Sequence, residues 1–181
     1  GRSDEAIKEI TKAQELDPHS IVISNLVGLV HYVAGDFAQA ETQFLETLEL
    51  DADFISAYGQ LAKTLFLQGR FAEAITKARE AVRLSNNGPF FASTLGYVCA
   101  KTGQPEEARR ILDEFAARSK EAYVGPIAFA LVHAGLDEWD RMFERLERAY
   151  QERDVSLVPT LNNPLLAPMR SDPRFADLIR R

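Results

Sequence analysis

Gly69-Arg70-Phe71-Ala72-Glu73-Ala74 decides the fold, because the chain writes the same phrase again and again. It stands upstream as Gly35-Asp36-Phe37-Ala38-Gln39-Ala40 and downstream as Gly103-Gln104-Pro105-Glu106-Glu107-Ala108. The chain opens on a weaker copy, Gly1-Arg2-Ser3-Asp4-Glu5-Ala6. Gly1, Gly35, Gly69 and Gly103 are each 34 residues apart, and so are Ala6, Ala40, Ala74 and Ala108. A fixed period of that size means a stack of identical supersecondary units.

Each phrase sits between two amphipathic runs. Leu26, Val27, Val30 and Val33 precede Gly35, and Phe37, Ala40, Phe44, Leu45 and Leu48 follow it at helical spacing. The glycine supplies the left-handed residue that ends many helices. Whole units are therefore expected at residues 21–54, 55–88 and 89–122, with a degenerate one at 123–154. Residues 1–20 read as the second helix of a truncated leading unit, stopped by Pro18. In the degenerate unit Asp137 takes the place of the turn glycine and Met142 that of the alanine. Residues 155–171 hold four apolar residues between Pro159, Pro164 and Pro168; we expect an extended segment packed on the last unit. Asp172-Pro173 then starts a short capping helix carrying Phe175, Leu178 and Ile179.

Small residues pair across each hairpin in this register: Gly28 with Ala40, Ala62 with Ala74, and Gly96 with Ala108. Small side chains there let two backbones approach, and a large one overpacks the contact. Ala130 faces Met142 in the last unit, so a rearranged hairpin is expected.

These residues resemble a tetratricopeptide repeat protein. The resemblance rests on the 34-residue period, on Leu61-Ala62 and Leu95-Gly96, on the turn glycines, on the alanine of each second helix, and on Asp17-Pro18. It covers about residues 1–154. Thr47, Ala52, Asn86, Asp137 and Met142 depart from the pattern. The resemblance implies an all-α fold, a right-handed superhelical solenoid. It also implies that the first helix of each unit lines an inner groove that binds a protein or peptide. The groove positions singled out for partner binding are Asn25, Leu29, Tyr32, Lys63, Phe66, Phe90, Tyr97 and Lys101. Some relatives grip a carboxylate with lysine, arginine and asparagine. The matching positions here are Asn25, Leu29, Lys63, Phe90 and Thr94, and only Asn25 fits. Two readings of the groove stay open: a site for a partner, or a surface filled by neighbouring units and the chain's own 155–169 segment.

The C-terminal stretch Met169-Arg170-Ser171-Asp172-Pro173-Arg174-Phe175, with Leu146-Glu147-Arg148-Ala149-Tyr150 before it, is similar to the ends of bacterial multidomain signalling proteins. There, such repeats follow a kinase, a cyclase or a winged-helix domain. That resemblance, and a start inside a repeat, imply a piece of a longer protein. The alternative function is then a regulatory or self-associating region, the latter through the uncovered face of residues 4–15.

The net charge of −6 leaves no basic footprint for nucleic acid. One cysteine, Cys99, excludes an internal disulfide and fits a reducing, cytoplasmic compartment. His31, Cys99 and His133 occupy the same place in different units. Units stand about 10 Å apart, whereas zinc ligands converge to within about 2.0–2.3 Å of the ion. They read as spacing positions, with no metal and no cofactor expected. No nucleophile elbow or phosphate-cradling loop is present, and no catalytic residue is expected. If the register is right, Ala74→Leu lowers the melting temperature more than Lys77→Leu does; equal melting temperatures would refute it.

Overall fold

A computed structural model describes residues 2–181, with side chains from Glu5 onward. Gly1, the first of the periodic glycines, lies outside the described residues. The described residues hold helices and no strand. The helices are α1 (Arg2–Leu16), α2 (Ile21–Ala34), α3 (Phe37–Leu50), α4 (Ile55–Leu67), α5 (Phe71–Leu84), α6 (Pro89–Lys101), α7 (Pro105–Arg118), α8 (Pro126–Gly135), α9 (Trp139–Gln151), α10 (Leu157–Leu161) and α11 (Pro173–Arg180). A 3-10 helix, Pro164–Ser171, lies between the last two. The chain divides into two compact units, one ending at Ser85 and one spanning Asn86–Arg181.

In the first unit each helix packs on the next, α1 through α5. The α2–α3 turn follows directly from the sequence. Gly35 takes φ 85°, and the N–H of Asp36 returns to the carbonyl of His31 at 2.9 Å. The Asp36 carboxylate then caps α3 by accepting from the Gln39 N–H. Gly69 repeats the geometry with φ 79° and Arg70 bonded back to Leu65. Ala40, Ala62, Ala74 and Ala78 are fully enclosed. Thr47 stands where the pattern prefers alanine. Its hydroxyl donates to the Gln43 carbonyl at 2.8 Å and, its one proton so used, accepts from buried Ser24 at 2.8 Å.

In the second unit α6 packs on α7 and α8, and α8 on α9. Gly103 and then Asp137 hold the left-handed turn, at φ 82° and 59°. Gln104 and Glu138 bond back to Cys99 and His133. Asp137 is thus the turn residue of its repeat, while Gly135 has a different use. A Cβ there would lie 2.7 Å from the Tyr97 Cα, so the glycine lets α8 meet the α6 backbone.

Three expectations are corrected. The residues 155–171 are helical rather than extended. Pro159 falls in the first turn of α10 and Pro164 opens the 3-10 helix, positions where a missing N–H costs nothing. The small-residue pairs act differently as well: a Cβ on Gly28 would lie 2.6 Å from the Phe44 ring, and one on Gly96 would lie 2.8 Å from Val132. These glycines make room for a large neighbour. Lys77 is half-buried with its ammonium 5.5 Å from the Tyr58 ring centroid, so exposed Arg79 is the better solvent-facing reference for Ala74→Leu.

The period also runs on beyond its expected end. Arg174 pairs with Asp140 at 2.8 Å and Arg181 with Glu147 at 3.0 Å, each across 34 residues. Helix α11 therefore follows α9 in register, and Phe175, Leu178, Leu165, Leu166 and Met169 are buried as a degenerate closing hairpin.

The glycines separate two kinds of cost. Gly28→Ala should destabilise by about 1–3 kcal/mol through the Phe44 clash, and Phe44→Leu should recover part of it. Gly103→Ala should cost about 1 kcal/mol through backbone strain alone, with no side-chain rescue. Thermal melts of the single and double variants check this; rescue of both or neither would contradict the assignment.

Candidate functional site

The candidate site of the first unit is built on α2 and α4. Asn25, Leu29 and Tyr32 fall at i, i+4 and i+7, so they share one face of α2. The Tyr32 ring is buried at 6.0 Å from Phe37. The Lys63 ammonium of α4 lies over it, 5.9 Å from the ring centroid. Lys63 is buried, and desolvation pushes its pKa down to about 8. Phe66, one turn on, packs against Phe71 at 5.5 Å. The structure thus brings five of the eight expected groove residues onto two neighbouring helices.

Besides His31 Nδ1, two polar atoms on these helices have no hydrogen-bond partner among the described residues: Asn25 Oδ1 and Gln60 Oε1. Both are buried, and Gln60 is one turn before Lys63. The outer stripe of α2, Val22, Leu26, Leu29 and Val33, falls at i, i+4, i+7 and i+11. Val22 is 59% exposed, Leu26 39% and Val33 49%. Helix α2 thus leaves an aliphatic stripe in water, on the helix that carries the Tyr32 ring under the Lys63 ammonium.

The other three expected residues lie in the second unit and are engaged differently. The Tyr97 hydroxyl donates to the Leu165 carbonyl at 2.9 Å, and burial pushes its pKa up to about 12. The Lys101 ammonium pairs with the Asp137 carboxylate, which holds that carboxyl below its usual range. Phe90 is 55% exposed and stands edge-on to Phe91 at 5.2 Å.

The His31, Cys99 and His133 positions separate into unrelated surroundings. His31 Nδ1 lies 3.5 Å from the Asp36 carboxylate, Cys99 is fully buried, and His133 Nδ1 lies 2.8 Å from Glu138. Burial, opposed by Glu138, holds the His133 pKa low. Among the described residues no three His, Cys, Asp or Glu side chains converge on a metal position. No described helix is long and apolar enough to cross a membrane.

Sequence reasoning missed the cleft of about 420 Å³ over His133, where Arg109 and Arg141 each reach Glu138 at 3.4 Å and Arg145 stacks 4.5 Å from the Phe129 ring centroid. The only signal was the run of arginines on α7 and α9. Its basic and acidic lining side chains balance, three of each.

Comparison with known proteins bears on the fold. The patterns that define the tetratricopeptide repeat match residues 27–89 and 89–114. The DnaJ homolog subfamily C member 7 homolog of Schizosaccharomyces pombe is 27% identical over 82% of this chain and 34% of its own length. The chain spans about a third of the curated relatives it matches at that extent. Among solved structures, a tetratricopeptide repeat protein from Parabacteroides merdae has a TM-score of 0.58 at 12% identity, with 98% of this chain and 71% of that one covered. YrrB, titled a TPR protein with an unusual peptide-binding site, has a TM-score of 0.53 at 17% identity, with coverage of 97% and 91%. The fold is that of such proteins, and the tetratricopeptide repeat pattern matches this chain across residues 27–114.

Proposed function

We propose that this region is a non-catalytic protein-interaction scaffold that holds a peptide or helix of a partner on the α2–α4 face. The observation that carries the reading is the aliphatic stripe of α2, left in solvent beside buried Lys63. Leu29 and the stripe supply apolar contact, Tyr32 and Phe66 form the floor, and Lys63 and Asn25 supply polar direction. The peptide-binding site named for YrrB supports the reading by analogy of fold.

Affinity capture from the source-cell lysate tests it, with wild type beside a Leu29→Asp/Lys63→Met variant of unchanged helicity. A protein captured by wild type alone supports the reading, and equal capture by both moves the site elsewhere.

The buried ammonium also makes a stability prediction. A lysine whose folded pKa lies near 8 is destabilising while charged in both states, and the penalty fades as pH rises from about 8 towards 10.5. Lys63→Met should therefore stabilise the fold at pH 7, by as much as roughly 3 kcal/mol. That gain should shrink between pH 8 and 10 while partner capture is weakened throughout. Melting curves across pH check this, and a gain that grows with pH would refute it.

A further inference from the structure

Arg145 of α9 stands apart from the other arginines. It is half-buried, whereas every other arginine with a described side chain is exposed. At the 34-residue period it falls where Ile111 stands in the preceding repeat, and Ile111 is buried. A core position has thus passed from an aliphatic side chain to a cation, which costs free energy unless the charge is paired. Among the described residues no hydrogen bond or ion pair joins its guanidinium to a carboxylate; it lies over the Phe129 ring, 4.5 Å from the centroid. That ring is itself buried and edge-on to Phe115 at 5.4 Å, so the guanidinium rests on a fixed floor. An aromatic contact occupies the face of a guanidinium and leaves the in-plane N–H donors open along its edges.

Two clefts of the second unit share Arg145, together with Ala116 and Phe129. The larger one is lined by Asp113, Glu138 and Glu144 as well as by arginines. The smaller, of about 320 Å³, has Arg145 and Arg148 in its lining and no carboxylate. Arg148 is already bound to Glu152 at 2.6 Å, and the Tyr123 hydroxyl donates to the same carboxylate at 2.9 Å. Arg145 therefore leaves the smaller cleft with one positive charge that nothing described there balances. Its walls are apolar: Val124, Pro126 and the ring of Tyr123, a residue 71% exposed.

We infer that this smaller cleft binds an acidic peptide segment of a partner protein. A glutamate or aspartate carboxylate sits on the edge of the Arg145 guanidinium, and an adjoining apolar side chain lies against Tyr123, Val124 and Pro126. Charge complementarity selects the carboxylate, and the planar fork of arginine accepts one through two parallel hydrogen bonds. The volume admits a side chain or two rather than a whole helix. The site is separate from the α2–α4 face and stands or falls independently of it.

An array of acetylated, amidated heptapeptides, with glutamate at the centre and leucine, phenylalanine, proline or serine around it, is probed with the full 181-residue chain. The strongest peptides are then titrated by fluorescence anisotropy. Saturable binding is expected, weakened about tenfold or more by Arg145→Met and by exchanging the central glutamate for glutamine. Arg145→Lys, which keeps the charge and loses the fork, should weaken it as well. Arg79→Met, which removes the same charge from an exposed position of α5, should leave binding unchanged, and so should Leu29→Asp/Lys63→Met. Melting temperatures are recorded for each variant, and Arg145→Lys carries the test alone if Arg145→Met unfolds. Absence of binding by every glutamate peptide overturns the inference. So does binding that survives the Arg145 substitutions or the glutamine exchange. Peptides lost with Leu29→Asp/Lys63→Met but kept by the Arg145 variants would place the acidic segment on the α2–α4 face instead, against this inference and in favour of the proposed function.

Discussion

One backbone constraint underlies the fold: every 34 residues a single position must enter the left-handed region and turn the chain back on itself. Gly35, Gly69, Gly103 and Asp137 hold it, with φ between 59° and 85°. In each case the following N–H bonds a carbonyl five residues earlier, closing the helix end and aiming the next helix against the one before. Little else in the hairpins is fixed so rigidly. The side chain can change from none to a carboxylate, and Asp137 uses the freedom to pair with Lys101.

Once the turn is set, the contacts between helices are solved locally. Alanine is fully enclosed at 40, 74 and 108, but the space opposite it is filled by Phe44 in one hairpin and by Ile111 and Val132 at another. The Ser24–Thr47 pair is a third solution, in which the Ser24 hydroxyl donates to that of Thr47 and Thr47 donates to the Gln43 carbonyl. The closing hairpin is a fourth: its first helix is broken into α10 and a 3-10 helix, and its second is tied to α9 by two ion pairs and by Arg174 over Phe143. A repeat of this kind tolerates such variety because each unit answers only to its neighbours.

The first helices of the first two repeats carry features that oppose folding. Burying Lys63 over Tyr32, with the amide oxygens of Asn25 and Gln60 unpaired nearby, opposes folding. Leaving Val22, Leu26 and Val33 in water forfeits burial that α8 obtains in full. Both features oppose folding of the first unit. The second unit meets the same problem from within, by laying its own leucines and the Leu165 carbonyl against Tyr97.

The sequence alone determined the period, the helix type and the turn positions, because glycine at a left-handed turn and a 3.6-residue apolar stripe are local properties of the chain. It also assigned residues to the first helix of each repeat, since register follows from the period. The contents of the small-residue contacts were beyond it: whether Gly28 faces Ala40 or Phe44 depends on how two helices lean, which spacing does not encode. The helical path within residues 155–171 was hidden by prolines, which forbid a long helix; Pro159 and Pro164 sit in first turns, and Pro168 is carried inside the 3-10 helix. The Arg174–Asp140 and Arg181–Glu147 spacings were legible in principle and lacked only a reason to look beyond the last recognisable turn. Tertiary structure alone decided the state of the groove residues. Tyr97 is covered by a segment 68 residues away, Lys101 is paired, and Lys63 is buried against an aromatic face, because burial is a property of what arrives from elsewhere in the chain.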